Sequence, residues 1–480
     1  VNSNNISNFL KAVSTADTEA LRQRLTGEVI LPGDETYDEA RHTPNLNNDR
    51  KPAIVVRPQT TSDVAEAIKF ARKRGLDLAV KSGGHSVPGW SVLDDALLID
   101  LSQFKKVTID PERRTARVQP AVTSGELAAP AHAYGLALTT GDAASVGIGG
   151  LTLGGGIGFM ARKYGLTIDN LLSVEMVTAD GDVVRASKEQ HTELFWALRG
   201  GGGNFGVVTE FEFQLAPVGQ VYGGALVLPA TVENLRKYID YATNAPDELT
   251  TITNIMTAPP APFIPENRVG ETVIVILAVY TGDMEEGARV MQPLRDIAAP
   301  IADLVGPMPY PVIYDFTEPA THPHFSHIRS MFSHGITDEA LERVLDLMKR
   351  ATSPMSMAQL RPLGGAFSRV PVEETAFAHR DKNFFFAALG LWADPEDDRV
   401  NRSNHQAWTE ALWAAVKSER DGVYVNFLAD EGRARVAEAY PADTYARLAW
   451  VKSTYDPENL FAGNQNVRPI ARFVEERAAA

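Results

Sequence analysis

Lys81-Ser82-Gly83-Gly84-His85-Ser86 is the stretch on which the reading of this chain turns. A largely apolar run, Leu76 to Val80, leads into it. Two consecutive glycines let a backbone turn tightly or approach a ligand closely, because glycine tolerates positive φ and has no Cβ. A ring nitrogen held just past such a contact is placed to act on whatever the glycines approach. By itself Gly-Gly-His is equally the mark of a surface turn with a solvated histidine. Three later segments add weight: the glycine clusters Gly147 to Gly158 and Gly200 to Gly206, and Asn464-Gln465-Asn466.

Those clusters suit an anionic ligand. A dinucleotide pyrophosphate is best held by many backbone N–H groups, which glycine-rich loops present without side-chain obstruction. The spacing is not that of a Rossmann site. Gly154-Gly155-Gly156-Ile157-Gly158 lacks the GxGxxG pattern, and Gly201, Gly203 and Gly206 match it but run into a strand rather than a helix. Each cluster alone is as consistent with tight packing as with binding; together they favour a ligand.

The local patterns outline the architecture. Ala53 to Val56 reads as a strand, Thr61 or Ser62 caps a helix stopped by Gly75, and Leu78 to Val80 resumes as strand. Asp180-Gly181 is a hairpin turn. Beyond Pro217 strands and helices alternate to about residue 435, the mark of an α+β unit with an antiparallel sheet covered by helices on one face.

Taken together, Lys81–Ser86, Val146–Gly158, Lys163–Leu166, Asp169-Asn170, Leu194–Thr209, Tyr424-Val425-Asn426-Phe427 and Tyr455–Phe461 resemble the FAD-linked oxidases of the berberine-bridge-enzyme-like family, within the vanillyl-alcohol-oxidase superfamily. The resemblance runs from about Leu31 to Pro469, in the family's order. It implies an α+β fold with a PCMH-type, two-subdomain FAD-binding domain at 1–218. A substrate domain follows at 219–438, and a segment at 439–480 returns to the first domain. Ser82, Gly83, Gly84, His85 and Ser86 would form the pyrophosphate loop, with His85 bonded covalently to the flavin 8α carbon. Gly141, Val146, Gly147, Gly150, Leu151, Gly154, Gly156 and Gly158 would line the FAD from a second loop. Tyr164, Asn204, Gly206, Val208, Asn464 and Asn466 would complete the site, with Asp169-Asn170 bracing it. A neutral imidazole is a competent nucleophile near neutral pH, which makes sense of the residue type.

Many members carry a second tether, a Cys just ahead of Val-Gly-x-Gly-Gly. Ala143 stands at that place here, within Gly141-Asp142-Ala143-Ala144-Ser145-Val146, and the chain has no cysteine. The resemblance therefore implies a single tether, a more open cleft and a somewhat lower flavin potential than in doubly tethered relatives.

The implied reaction is hydride transfer from an alcohol or amine to flavin N5, with a base taking the substrate proton and O2 reoxidising the flavin. Tyr424 and Asn426 match the family's Tyr-x-Asn, and Tyr445 aligns with a Tyr that is catalytic in some relatives. Each is equally a packing residue with its polar end satisfied. Phe427 stands where some plant members carry a catalytic Tyr, and Phe384-Phe385-Phe386 where some carry a carboxylate. On a strand those three alternate between faces, so at least one lies in a core. Gln359 and Arg361 stand where relatives have polar active-site groups, although such residues are mostly solvated. Leu151 lies near a position that gates oxygen.

Composition narrows the function classes. The chain has 480 residues, enough for two or three domains. A net charge of −15 argues against nucleic acid and against an anionic membrane surface. No apolar run approaches the ~20 residues of a membrane helix. The absence of Cys excludes disulfides and thiol chemistry. His322, His324 and His327 do not share a helical face with Pro323 between the first two, so no metal is expected. Val1–Ile6 has neither the basic nor the apolar region of a secretory signal. A cytoplasmic setting is the default, with secretion left open and the native start undefined by Val1. The expected partners are a small-molecule substrate and O2, with the chain a monomer or homodimer. A dehydrogenase with another acceptor, a carbohydrate oxidase and an inactive flavin-binding scaffold are the competing readings.

Overall fold

Thr60, one residue earlier than expected, starts the first long helix, Thr61–Arg74. Its hydroxyl accepts from Asp63 N at 3.2 Å, and the Asp63 carboxylate accepts from Thr60 N at 3.2 Å. This reciprocal box needs an acidic or amide residue three positions on, and that residue selects Thr60 over its neighbours. Gly75, at φ +63°, closes the helix in the left-handed conformation. Asp63 also accepts from Thr26 N and Gly27 N, tying the chain start to this helix. The computed structural model describes residues 14–417 and 422–470, without the side chains of 318–321.

Three sheets follow. The first has four strands in the order Glu28–Ile30, Ile54–Arg57, Leu97–Asp100, Leu78–Lys81, the last three parallel. The second has five antiparallel strands in the order Val107–Asp110, Thr115–Val118, Val207–Gln214, Leu171–Val177, Val183–Ser187. Gly181, at φ +78°, makes its expected hairpin. Val177 and Val207 join Val56, Ile68 and Leu97 in a core shared by the two sheets.

The third sheet is antiparallel throughout. Its order is Ala302–Asp303, Gln220–Pro229, Thr272–Tyr280, Leu249–Thr257, Met357–Pro362, Phe384–Trp392, Phe325–Ser333, with Gly306–Pro309 also on Gln220–Pro229. Helices Val232–Asn244, Met284–Arg295, Asp338–Met348 and Pro395–Val416 cover one face, where Leu235, Met291, Val344 and Leu412 meet Ile276, Leu360, Phe384 and Phe386. Phe385 points the other way, into a cluster with Ile157, Ala161 and Leu166. The aromatic run thus divides between the core under the helices and a second buried cluster shared with residues 157–168.

The chain end returns to the second sheet. Leu448, Ala449 and Val451 of helix Ala442–Tyr455 pack with Phe195, Leu198 and Phe211. Lys452, fully buried, donates to Asn204 O at 2.7 Å, Phe461 O at 2.9 Å and the Asp456 carboxylate at 2.6 Å.

A buried ion pair joins the third sheet's connection to the glycine-rich half. Arg380 donates to both Asp169 oxygens, at 2.8 and 2.7 Å, and its guanidinium lies 5.1 Å from the Phe377 ring centroid. Removing one partner leaves a buried charge without its counter-charge. Arg380→Met is therefore expected to lower the unfolding free energy by about 3–5 kcal/mol, read from a shifted urea midpoint.

Candidate cofactor and catalytic site

The Ser82–His85 loop leaves the parallel sheet at Lys81. That residue is buried, which pulls its ammonium below the usual lysine range, and Asp100 opposes the shift. Asp100 lies 3.5 Å from Lys81 Nζ and accepts from Arg57 Nε at 3.0 Å. Lys81 Nζ also donates to Ala40 O. These bonds set where the strand ends and the loop begins.

Gly83 then meets Gly147 backbone to backbone. A Cβ on Gly83 would fall on Gly147 N and Cα, and one on Gly147 would fall on Gly83 N and Cα. Gly84 turns at φ +73°, against Pro44 and Thr43. On the far side, Ile148 N donates to Val122 O at 2.8 Å and Gly149 N to Pro120 O at 3.0 Å, fixing helix Ile148–Gly154. A Cβ at Gly150 or Gly203 would meet no heavy atom within 4 Å, so both backbones lie open to a ligand.

His85 sits half-buried beside this contact, with Nε2 3.1 Å from Ser145 Oγ. Burial, reinforced by His324, pulls its pKa down to about 4. The ring is therefore neutral at physiological pH.

A second group of candidates gathers around Asn204. Its amide nitrogen donates to Gly201 O at 2.8 Å and Gln465 O at 3.3 Å, and its oxygen accepts from Val467 N at 2.9 Å. Asn464 donates to Gly203 O and Phe461 O, both at 3.0 Å. Asn464 Oδ1 and Asn466 Oδ1 are buried with no partner among the described residues. Buried acceptors of this kind call for a donor from elsewhere. The open glycines, the orphaned acceptors and the neutral imidazole fit a dinucleotide that brings its own donors and phosphates.

The other named glycines contact protein. A Cβ would meet Asn426 at Gly154, Thr167 at Gly156, Thr140 O at Gly158, Leu151 at Gly141 and Met176 at Gly206. Val208 and Leu151 are buried, and Val146 O accepts from Ser124 N at 3.0 Å. Tyr164 is half-buried, its carbonyl receiving Asn170 Nδ2 at 2.8 Å. Ser86 Oγ accepts from Trp90 N at 3.2 Å.

On the third sheet, Gln359 and Arg361 share the face that carries Phe385, and both are buried rather than solvated. Gln359 Oε1 accepts from Arg361 Nε at 2.8 Å and Nη2 at 2.6 Å, while its Nε2 donates to Asn254 Oδ1 at 3.0 Å. Arg361 also donates to Ile157 O at 3.1 Å and to Asp142 Oδ2 at 2.8 Å. Its guanidinium lies over the Phe385 and Phe427 rings, 5.5 and 5.3 Å from their centroids, and the two rings meet edge to face at 5.1 Å.

Tyr424 lies at the edge of this cluster, stacked on Phe427 at 5.8 Å and edge-on to Phe377 at 5.9 Å. Its hydroxyl accepts from Gly156 N at 2.8 Å and Asn426 Nδ2 at 2.9 Å. Asn426 Nδ2 also donates to Leu151 O at 3.0 Å. Burial raises the phenol pKa, the Gly156 N–H and Asn426 working against it. With two donors on the oxygen and an elevated pKa, the phenol is suited to bracing the Gly154–Gly156 turn.

Tyr445 stands apart from this group. It packs against the second sheet's core, and its hydroxyl accepts from Arg468 N at 3.2 Å. Asp142, Asn254 and Ser145 stand in no sequence pattern that marks them as site residues. The alternation of Gln359 and Arg361 is a local signal, but their partners lie in irregular loops or distant strands that carry none. Among the described residues, no three His, Asp or Glu could hold a metal ion, and no helix is long and apolar enough to cross a membrane.

Tyr424→Phe removes the acceptor of the buried Gly156 N–H. The variant is expected to retain cofactor and lose about 1–3 kcal/mol of stability in chemical denaturation.

Comparisons with known proteins show what the chain is similar to. A family model described as FAD binding domain matches residues 52–187, and one described as Berberine and berberine like matches residues 423–468. YgaK, an uncharacterized FAD-linked oxidoreductase of Bacillus subtilis, is 32% identical over 463 residues, covering 94% of this chain and 99% of the relative. (R)-6-hydroxynicotine oxidase of Paenarthrobacter nicotinovorans is 29% identical over 461 residues, covering 93% and 97%. The crystal structure of 6-hydroxy-D-nicotine oxidase from Arthrobacter nicotinovorans superposes with a TM-score of 0.81 at 27% identity, covering 92% of this chain and 98% of that one.

Proposed function

This chain belongs to the berberine and berberine-like family of FAD-linked oxidoreductases, and we propose that it oxidises a small alcohol or amine with FAD tethered singly through His85 and O2 as acceptor. The observation that carries the proposal is the His85 ring held beside the Gly83–Gly147 backbone contact, where burial favours its neutral form. When bound, FAD supplies the hydride-accepting N5 and returns the electrons to O2 as H2O2.

The protein's own groups have distinct tasks in this reading. The Ser82–Ser86 loop presents backbone N–H groups to the pyrophosphate, and the open Gly150 gives it room to approach. Asn464 and Asn466 accept hydrogen bonds from the cofactor through the oxygens that have no partner among the described residues. Ala143 provides no second tether. Residues 1–218 and 439–480 hold the cofactor, and 219–438 present the substrate face.

On that face, Arg361 and Asn254 fix the Gln359 amide in one orientation. The second Nε2 hydrogen is then aimed to position a substrate hydroxyl or amine. Asp142 is the carboxylate in contact with this polar set. Arg361 holds its Oδ2, which leaves Oδ1 to receive the substrate proton. Tyr424 and Asn426 keep the Gly154–Gly156 turn seated against the sheet.

Acid precipitation tests the tether. Flavin absorbance is expected in the pellet of the wild-type protein and to be absent from the pellet of His85→Ala; wild-type flavin found only in the supernatant removes the covalent link. The proton acceptor is tested by anaerobic stopped-flow reduction with the most active member of an alcohol and amine panel. Asp142→Asn is expected to slow flavin reduction by about 10²–10⁴-fold, and an unchanged rate excludes Asp142.

A further inference from the structure

Among the described residues, the side chain that meets the His85 ring in a hydrogen bond is Ser145, Oγ to Nε2 at 3.1 Å. Both partners are held from behind. Ser145 lies between Ala144, whose carbonyl accepts from Gly125 N at 3.0 Å, and Val146, whose carbonyl accepts from Ser124 N at 3.0 Å. Those donors sit at the start of helix Ser124–His132. A Cβ on Gly125 would press on the Ala144 methyl, so the two segments are in close contact. His85 is held through Gly83, against Gly147, and Gly84, against Pro44. Both backbones are thereby held, so the pairing can change only by rotation of the two side chains.

Such a contact chooses a tautomer. In a neutral imidazole one nitrogen carries the proton and the other the lone pair, and the partner of one nitrogen decides the state of both. If Ser145 donated to Nε2, Nδ1 would carry the proton and neither nitrogen would have a lone pair free to attack. If Nε2–H donates to Ser145, Nδ1 is left with an open lone pair.

We propose that Ser145 is a positioning residue for cofactor attachment: it accepts Nε2–H of His85 and so directs the covalent bond to Nδ1. The inference rests on the tethered-flavin reading above. In the linking step the flavin 8α-methyl gives up one proton and Nδ1 forms a bond to the 8α carbon. An electron pair passes into the ring system, which is left reduced. The imidazole then sheds its Nε2 proton toward the Ser145 hydroxyl and solvent. O2 takes up the two electrons and two protons and leaves as H2O2, restoring the oxidised ring. One hydrogen from the methyl and one from the imidazole are thus accounted for.

The test compares wild type, Ser145→Ala and Ser145→Thr, each loaded with FAD. Readouts are total flavin, thermal midpoint, the rate at which flavin becomes acid-precipitable, and NMR of the flavinyl peptide to identify the substituted nitrogen. Wild type is expected to carry the link on Nδ1. Ser145→Ala is expected to bind FAD but to link it about tenfold or more slowly, the cost of one lost hydrogen bond, or to give a mixture of nitrogens. Ser145→Thr, which keeps a hydroxyl, is expected to restore both rate and linkage. An Nε2 link in wild type overturns the proposal even if Ser145→Ala does not fold. So does a Ser145→Ala protein that tethers at the wild-type rate through Nδ1, which leaves the tether itself standing. Wild-type flavin that never enters the pellet overturns the tether and this inference together.

Discussion

The contact between Gly83 and Gly147 is the constraint on which the site depends. Two backbones approach so closely that a methyl group on either would displace the other. One strand of this contact comes from the parallel sheet and the other from the loop that opens helix Ile148–Gly154. Each is secured independently, the first by the Lys81–Asp100–Arg57 set and the second by backbone bonds to Pro120, Val122 and Ser124. His85 and Ser145 meet because these two loops meet. The glycines matter here for what they lack, which is also why their neighbours can be packed so rigidly.

Buried charge is placed at seams rather than within the apolar cores. Lys81–Asp100, Asp169–Arg380 and Asp142–Arg361 each join segments that must keep a fixed relation around the site, and Lys452–Asp456 closes the end of one helix. Desolvation cancels much of the attraction in such pairs, so their net contribution to stability is modest. Breaking one is costly, because the remaining charge has no water to turn to. They therefore act as locators. Lys452, for example, fixes Asn204 O and Phe461 O at once and so holds the last segment against the glycine cluster.

The third sheet has two faces with different tasks, set by side-chain alternation. Phe384 and Phe386 anchor the helices, while Phe385 and Phe427 lie together against Arg361 on the opposite side. Ring contact lowers the cost of burying a guanidinium, and its hydrogen bonds to Gln359, Ile157 and Asp142 use its donors. The result is a polar set with fixed orientations within an apolar surround. Such a surface can position one polar group of a mostly apolar molecule.

Much of this was legible from local pattern. The glycine clusters, the Gly75 stop, the Asp180-Gly181 turn and the alternation around Phe385 are dictated by backbone sterics and period, which act over a few residues. The resemblance carried by those motifs extended the reading to the fold and to FAD. The helix start at Thr60 was within reach, since Asp63 three residues on is a local cue. Other features depend on residues far apart in sequence: Arg361 finds Asp142 across 219 positions and Tyr424 finds Gly156 across 268. Tyr445 and Tyr424 look alike in sequence, yet one caps the Arg468 backbone and the other braces the glycine turn. Local chemistry thus determined which loops turn tightly and leave backbone open. Tertiary packing alone decided which side chains meet there, because a side chain's partner is set by how whole sheets dock and leaves no periodic trace along the chain.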